Sequence, residues 1–127
     1  MLEKYFARVI DIGSLYLKDV LFQFEGEPIL FICEDGLWHE YLCYCSEIRF
    51  KKKWIIIACN ITLQEIVTKC MTDIRSVFLQ SPMAIIVEEN ELGIESSYTI
   101  ATAKLDPLDL PEENVYAIRN TRKGALL

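Results

Sequence analysis

The stretch Val20-Leu21-Phe22-Gln23-Phe24, Gly26-Glu27-Pro28, Ile29-Leu30-Phe31-Ile32-Cys33, Glu34-Asp35-Gly36 decides the fold. Two further apolar runs follow it, over 38–46 and 53–59, separated by a charged step. Short runs rich in Ile, Phe, Tyr and Trp, closed by Gly, Pro or Asp-Gly, favour consecutive antiparallel strands over helices. Glycine supplies the positive φ of a tight hairpin and proline presets φ. A β-meander is therefore expected. In 53–59, Trp54, Ile56 and Ala58 alternate with Ile55, Ile57 and Cys59, so both faces are apolar and the strand should be central or covered on both sides.

Downstream of that strand, Thr62-Leu63-Gln64-Glu65 matches a capping box, and Leu63, Ile66, Val67, Cys70 and Met71 fall at the spacing of one buried helical stripe. The spacing predicts a main helix over about 62–71. Asp73 heads a short second helix carrying Ile74, Val77 and Phe78, and Ser81-Pro82 stops it, because the residue before proline is pushed out of the α region. Strands are expected over 83–88 and 98–103, joined by the polar segment 89–93. Upstream, 1–12 reads as a first strand or arm, and Gly13-Ser14 leads into a separate apolar segment, 15–17. The span 106–113, with two prolines and four acids, reads as an extended surface segment, and 115–118 as a final edge strand. The expected architecture is an α+β domain over 1–118. An antiparallel meander sheet of five to seven strands carries both helices packed on one face, and 119–127 forms a C-terminal tail.

At 127 residues, 52% hydrophobic and 25% charged, the chain has the composition of one globular domain rather than a disordered segment. Nineteen acidic against thirteen basic residues give a net charge of −6. A summed negative field repels phosphate backbones and anionic membrane surfaces, so nucleic acid is disfavoured as a partner and a basic protein is favoured. No apolar run approaches the ~20 residues of a membrane span, and Glu3, Lys4, Arg8 and Asp11 interrupt any signal-peptide core; a cytoplasmic location is expected.

The chain also carries a pattern of turn and core residues. It comprises Asp19-Val20-Leu21-Phe22, a Gly26-x-Pro28-Ile29-Leu30-Phe31 hairpin, Cys33 to Gly36, Tyr41-Leu42, Trp54-Ile55, Ile61-Thr62-Leu63, Asp73-Ile74-Arg75-x-x-Phe78 and a late Leu110-Pro111. This succession, over roughly 15–116, resembles a family of small bacterial domains of unknown function. The resemblance implies a bacterial origin and a fold type, and it transfers no activity, substrate or catalytic residue.

Cys33, Cys43, Cys45, Cys59 and Cys70 contain no paired C-x-x-C knuckle, so reduced core thiols are favoured over a zinc site. His39 is the only histidine; Cys43, four residues along the same strand, would lie ~13 Å away, too far to act as its nucleophile. A surface or turn-supporting role is favoured for it. Trp38 has the best claim of the aromatics to an exposed interface position, although core placement is favoured even there. Glu88, Glu89, Glu91 and Glu95 form one acidic cluster and Asp106, Asp109, Glu112 and Glu113 a second; both read as solvated rims that could also dock a basic surface. Lys51-Lys52-Lys53 reads as a solubilising hairpin end.

Two functional classes follow. The favoured one is a non-enzymatic, acidic protein-interaction module of the kind that immunity proteins and antitoxins represent. Its binding residues would be Trp38, His39, Glu89, Glu91, Glu112 and Glu113, and it needs no cofactor and no metal. The other is an enzyme or small-ligand-binding domain whose site is assembled around His39 from residues distant in sequence.

Overall fold

A computed structural model describes residues 4–9, 11–47, 51–69 and 71–112. Among these residues seven strands run in sequence order through one sheet, β1 (Lys4–Val9), β2 (Gly13–Phe24), β3 (Glu27–Glu34), β4 (Glu40–Glu47), β5 (Lys52–Cys59), β6 (Met83–Glu89) and β7 (Glu95–Ala101), and every neighbour is antiparallel. Two helices, α1 (Ile61–Thr68) and α2 (Ile74–Gln80), fill the single long connection, between β5 and β6. The Gly26 signal acts as its chemistry requires. Phe24 pairs with Glu27, and the two loop residues Glu25 and Gly26 take φ of 51° and 82°, the left-handed pair of a two-residue hairpin.

Ile55, Ile56 and Ile57 of β5 are all buried, so this strand needs an apolar layer on each face. On one face Ile55 and Ile57 join Leu21, Leu30, Ile32 and Leu42 beneath Val67 of α1 and Ile74, Val77 and Phe78 of α2. On the other, Ile56 joins Phe31, Cys33, Cys43 and Val87 beneath Ala7, Val9 and Leu15 of the first hairpin. The sheet supplies this second layer itself by curling until it is nearly barrel-shaped. Phe6 of β1 reaches across to Phe31 of β3 and Trp54 of β5, edge to face at 5.0 and 5.1 Å. At the seam the Arg8 amide of β1 donates to the Glu95 carboxylate of β7 at 3.4 Å.

Several expectations change. The apolar segment 15–17 and the run 20–24 are one twelve-residue strand, β2. Register shifts between Leu17 and Asp19 and again near Phe22 break the alternation, so Leu15 serves one core and Leu21 the other. Bulges of this kind bend a strand and let a sheet curl. The main helix starts one residue before 62 and ends at Thr68, short of 71. Asn60, extended at φ −118°, accepts the Leu63 amide on its side chain at 2.7 Å, so Thr62 lies inside the first turn, exposed, and is not the cap. Met71, expected on the buried stripe, is exposed, and Cys70 lies outside the described residues. The second helix is capped as expected, Asp73 accepting the Ser76 amide at 3.0 Å, and gives way at Ser81.

The segment after β7 is more ordered than its composition suggests. It forms two 3-10 turns, Thr102–Lys104 and Pro107–Asp109, and buries Leu105 and Leu110 in the helix-side core. Arg75 of α2 holds it down by donating to the carbonyls of Pro107 and Pro111, at 3.3 and 3.0 Å. The expected edge strand at 115–118 and tail at 119–127 lie outside the described residues.

Cys33, Cys43 and Cys45 are buried and Cys59 half-buried, all as free thiols. Burial and the neighbouring Cys33 push the Cys43 thiol well above its ordinary range, and burial pushes Cys45 and Cys59 up to about 11.

Two outcomes check this packing. Asn60→Ala should cost about 1 kcal/mol in urea denaturation and Thr62→Ala less than about 0.5 kcal/mol; the reverse order would move the helix start back to Thr62. In the folded protein a thiol reagent at neutral pH should leave Cys33 and Cys43 unmodified while all five cysteines react in denaturant, and early labelling of Cys43 would contradict the buried, protonated state.

Candidate functional site

The β3–β4 connection is a five-residue turn, 35–39, built on Asp35. The Asp35 amide donates to the His39 carbonyl at 3.0 Å, and its Oδ1 accepts the amides of Leu37 at 2.7 Å and His39 at 3.0 Å. Asp35 Oδ2 lies 2.9 Å from His39 Nδ1. An aspartate is suited to this because its short side chain can fold back on amides two and four residues ahead. Burial pushes the Asp35 carboxyl up, but the Leu37 amide, the His39 ring and the His39 amide together outweigh it and hold the group below its ordinary value. Burial and the Asp35 charge raise the Tyr41 phenol.

The connection between β6 and β7 repeats the same backbone design. There Asn90 donates its amide to the Ile94 carbonyl at 3.0 Å and accepts the amides of Leu92 and Ile94 on Oδ1, each at 2.9 Å. Both turns need a left-handed residue at the fourth position. In the second turn that residue is Gly93, at φ 82°; in the first it is Trp38, at φ 75°. A glycine takes this conformation freely, whereas a bulky L-residue is driven into its own carbonyl at a cost of roughly 1–2 kcal/mol. No burial offsets that cost. Trp38 is 89% exposed, so the core placement favoured for it from sequence is wrong: the left-handed backbone at the tip of the turn projects the indole away from the sheet.

Beside the turn lies an open groove of about 620 Å3, bounded by Trp38, His39 and Tyr41 on one side and by Lys18, Asn60, Ile61 and Gln64 on the other. The Glu40 carboxylate ties its walls together, paired with Lys18 of β2 and accepting from the Gln64 side chain of α1. Leu37 and Ile61 are exposed beside it, at 71% and 73%. The ionisable hydroxyl and thiol of the groove, Tyr41 and Cys59, are both raised above their ordinary values and stay protonated near neutrality. With Asp35 ionised, His39 Nδ1 is the donor to it, which leaves Nε2 for whatever occupies the groove. The arrangement can present an indole and an oriented imidazole to a partner.

Only Trp38 and His39 of the six expected binding residues come together. Glu89 and Glu91 lie at the other end of the sheet: Glu89 pairs with Lys52 in the β5–β6 ladder, whereas the groove borders the Cys59 end of β5, seven residues and ~23 Å away. Lys52 and Lys53, at the start of β5, partly neutralise this end of the sheet. Lys53 meets Asp109 at 2.7 Å and Glu88 at 4.0 Å, and Lys52 meets Glu27 at 3.8 Å. Burial lowers the Lys53 ammonium, but its bond to Asp109 outweighs this and raises it. Glu91 is exposed in the 90–94 turn, Glu112 is exposed after the buried Pro111, and Glu113 lies outside the described residues. The left-handed state of Trp38 left no mark in composition or periodicity. The one available signal was that Asp35 and Asn90 each stand two residues before a leucine, in five-residue links between strands. Among the described residues no group of His, Cys, Asp and Glu is arranged to hold a metal ion, and no helix is long and apolar enough to cross a membrane.

Comparison with protein-family models, with curated proteins and with solved structures finds no match to the chain.

The turn makes a stability prediction with a defined sign. A carboxyl whose folded pKa is depressed contributes stability at pH values above its unfolded pKa, about 3.9, and loses it as pH falls through the folded value. Asp35→Ala should therefore cost about 2 kcal/mol at neutral pH, and Asp35→Asn clearly less, since an amide serves the same two backbone donors at Asn90. The gap between the native chain and Asp35→Ala should narrow below about pH 4. A gap independent of pH would mean that Asp35 acts without its charge.

Proposed function

We propose that the protein is a non-enzymatic interaction module that docks a basic partner protein through the 35–39 turn, with Trp38 as anchor. The observation that carries this reading is the pair of turns. The same hydrogen-bond frame that takes glycine at 93 takes tryptophan at 38, fully displayed and in a strained conformation. Strain that brings no packing gain opposes folding, and it is retained where the side chain serves something outside the fold. Tryptophan is the residue type most enriched in binding hot spots, and a rigid turn lowers the entropy lost on docking. Leu37 and Ile61 would surround the anchor with apolar area, and His39 Nε2 would offer a hydrogen bond at the edge of the contact.

The net charge of −6 supports a basic partner through long-range attraction during encounter. The acidic rim at the far end of the sheet would contribute to that field and not to the contact itself. A catalytic reading of the groove is supported by the Asp35 and His39 pair alone. The protonated state of Cys59 and Tyr41 weighs against it.

Trp38→Gly separates the two demands on this residue. The variant should be more stable than the native chain by about 1 kcal/mol, because the left-handed strain is relieved. It should also lose partner binding by about 30-fold or more, the scale of a hot-spot truncation. Affinity capture from the cells that make the protein, with the native chain and Trp38→Gly as paired baits, should yield a basic protein retained by the first only, whose association slows with added salt. A partner held equally by both baits would refute the proposal, as would a variant less stable than the native chain.

A further inference from the structure

The inner face of the curled sheet is not filled to its end. Away from the 35–39 turn, where β1 crosses the starts of β3 and β5, a cleft of about 130 Å3 opens between Tyr5, Phe6, Phe31 and Trp54, with Leu17 and Cys45 at its sides. Phe6 stands edge-on to both Phe31 and Trp54, with interplanar angles of 82° and 84°, so three of the four rings are fixed against one another before anything enters. At the mouth Lys52 and Glu27 face each other at 3.8 Å.

We infer that this cleft is a binding site for a small neutral hydroxy-aromatic molecule, a single ring carrying a hydroxyl. Three features select that class. Size comes first: a dry apolar cavity of about 150 Å3 accommodates one benzene-sized ring, and a cleft of about 130 Å3 is on the scale of a single ring. The walls come second. Rings standing edge to face offer an incoming ring both faces and edges, the arrangement that aromatic pairs prefer, and they offer water too few polar partners to hold it there. The mouth comes third. An ammonium beside a carboxylate presents one donor and one acceptor, which a hydroxyl satisfies at once. An anionic ligand would have to compete with Glu27 for Lys52, and a cationic one with Lys52 for Glu27. The site lies at the opposite end of the sheet from Trp38 and is independent of the docking proposed there.

Paired probes test the inference: p-cresol, which carries the hydroxyl, and toluene, which lacks it. Followed by calorimetry and by the indole NMR signal of Trp54, p-cresol should bind saturably and one to one, with a Kd on the order of 0.1–1 mM, and toluene about fivefold more weakly. Leu17→Trp, which places an indole in the cleft, should weaken both probes about tenfold or more while circular dichroism stays unchanged. If that variant fails to fold, Lys52→Met, at a half-exposed position, decides the matter: it should bring p-cresol to the affinity of toluene and leave toluene unchanged. Absence of saturation up to about 10 mM p-cresol, equal affinity of both probes in the native chain, or a response centred on Trp38 in place of Trp54 would each overturn the assignment.

Discussion

The structure depends on the double burial of β5. Ile55, Ile56 and Ile57 are consecutive, and consecutive residues of a strand point to opposite faces, so no single layer can cover them. An antiparallel sheet of this length normally wets one face. Here that would expose Ile56, Phe31 and Val87, each a loss of about 1.5–3 kcal/mol of burial. The chain meets the requirement in two ways, placing α1 and α2 over one face and rolling its own first hairpin over the other. The bulges in β2 are the mechanical condition for the roll, since a regular strand of twelve residues could not supply Leu15 to one core and Leu21 to the other.

That curl also sets the positions of the groove and the aromatic cleft. The rolled sheet has two ends. At one, the turn 35–39 and the β5–α1 junction stand together, because β4 begins beside the end of β5. At the other, the first hairpin crosses the starts of β3 and β5 and leaves an opening that its aromatic side chains line without closing. The two turns built on Asp35 and Asn90 show how one backbone frame serves different purposes. Asn90 holds a frame whose left-handed position is glycine and which closes a hairpin without strain. Asp35 holds a similar frame and adds a contact to the His39 ring, and the left-handed position there carries a tryptophan. Local preference and global structure conflict at Trp38, and conflicts of that kind concentrate where a protein meets something else.

Much of this was legible in the chain. The meander, its hairpin at Gly26, the central strand covered on both sides and the Asp73 cap all rest on local rules, namely φ preferences, the two-residue period of strands and short side chains that reach nearby amides. These rules act within a few residues and need no partner from elsewhere in the chain. For the same reason the turn-supporting role of His39 could be read from its place just after Asp35-Gly36. The Asn60 cap is not legible in the chain because Thr62 also satisfies a capping pattern, and only the extended backbone at 60 distinguishes the two.

What the tertiary structure decided involves residues far apart in sequence. The lysines at 52 and 53, the acids at 88 and 109 and the turn residue Glu27 are separate in sequence, yet strand pairing and the return of the chain after β7 bring them into contact. Leu105 and Leu110 belong to a stretch with too many prolines and acids to suggest a core, and they enter it because Arg75 draws that stretch onto α2. The aromatic cleft joins β1 to β5 across some fifty residues of chain, and its opening is set by the curvature of the sheet. Trp38 is the sharpest case. The need of a small domain for aromatic core residues favoured burial, but the residue stands in a left-handed conformation within the turn that the Asp35 carboxylate closes, and its indole is exposed.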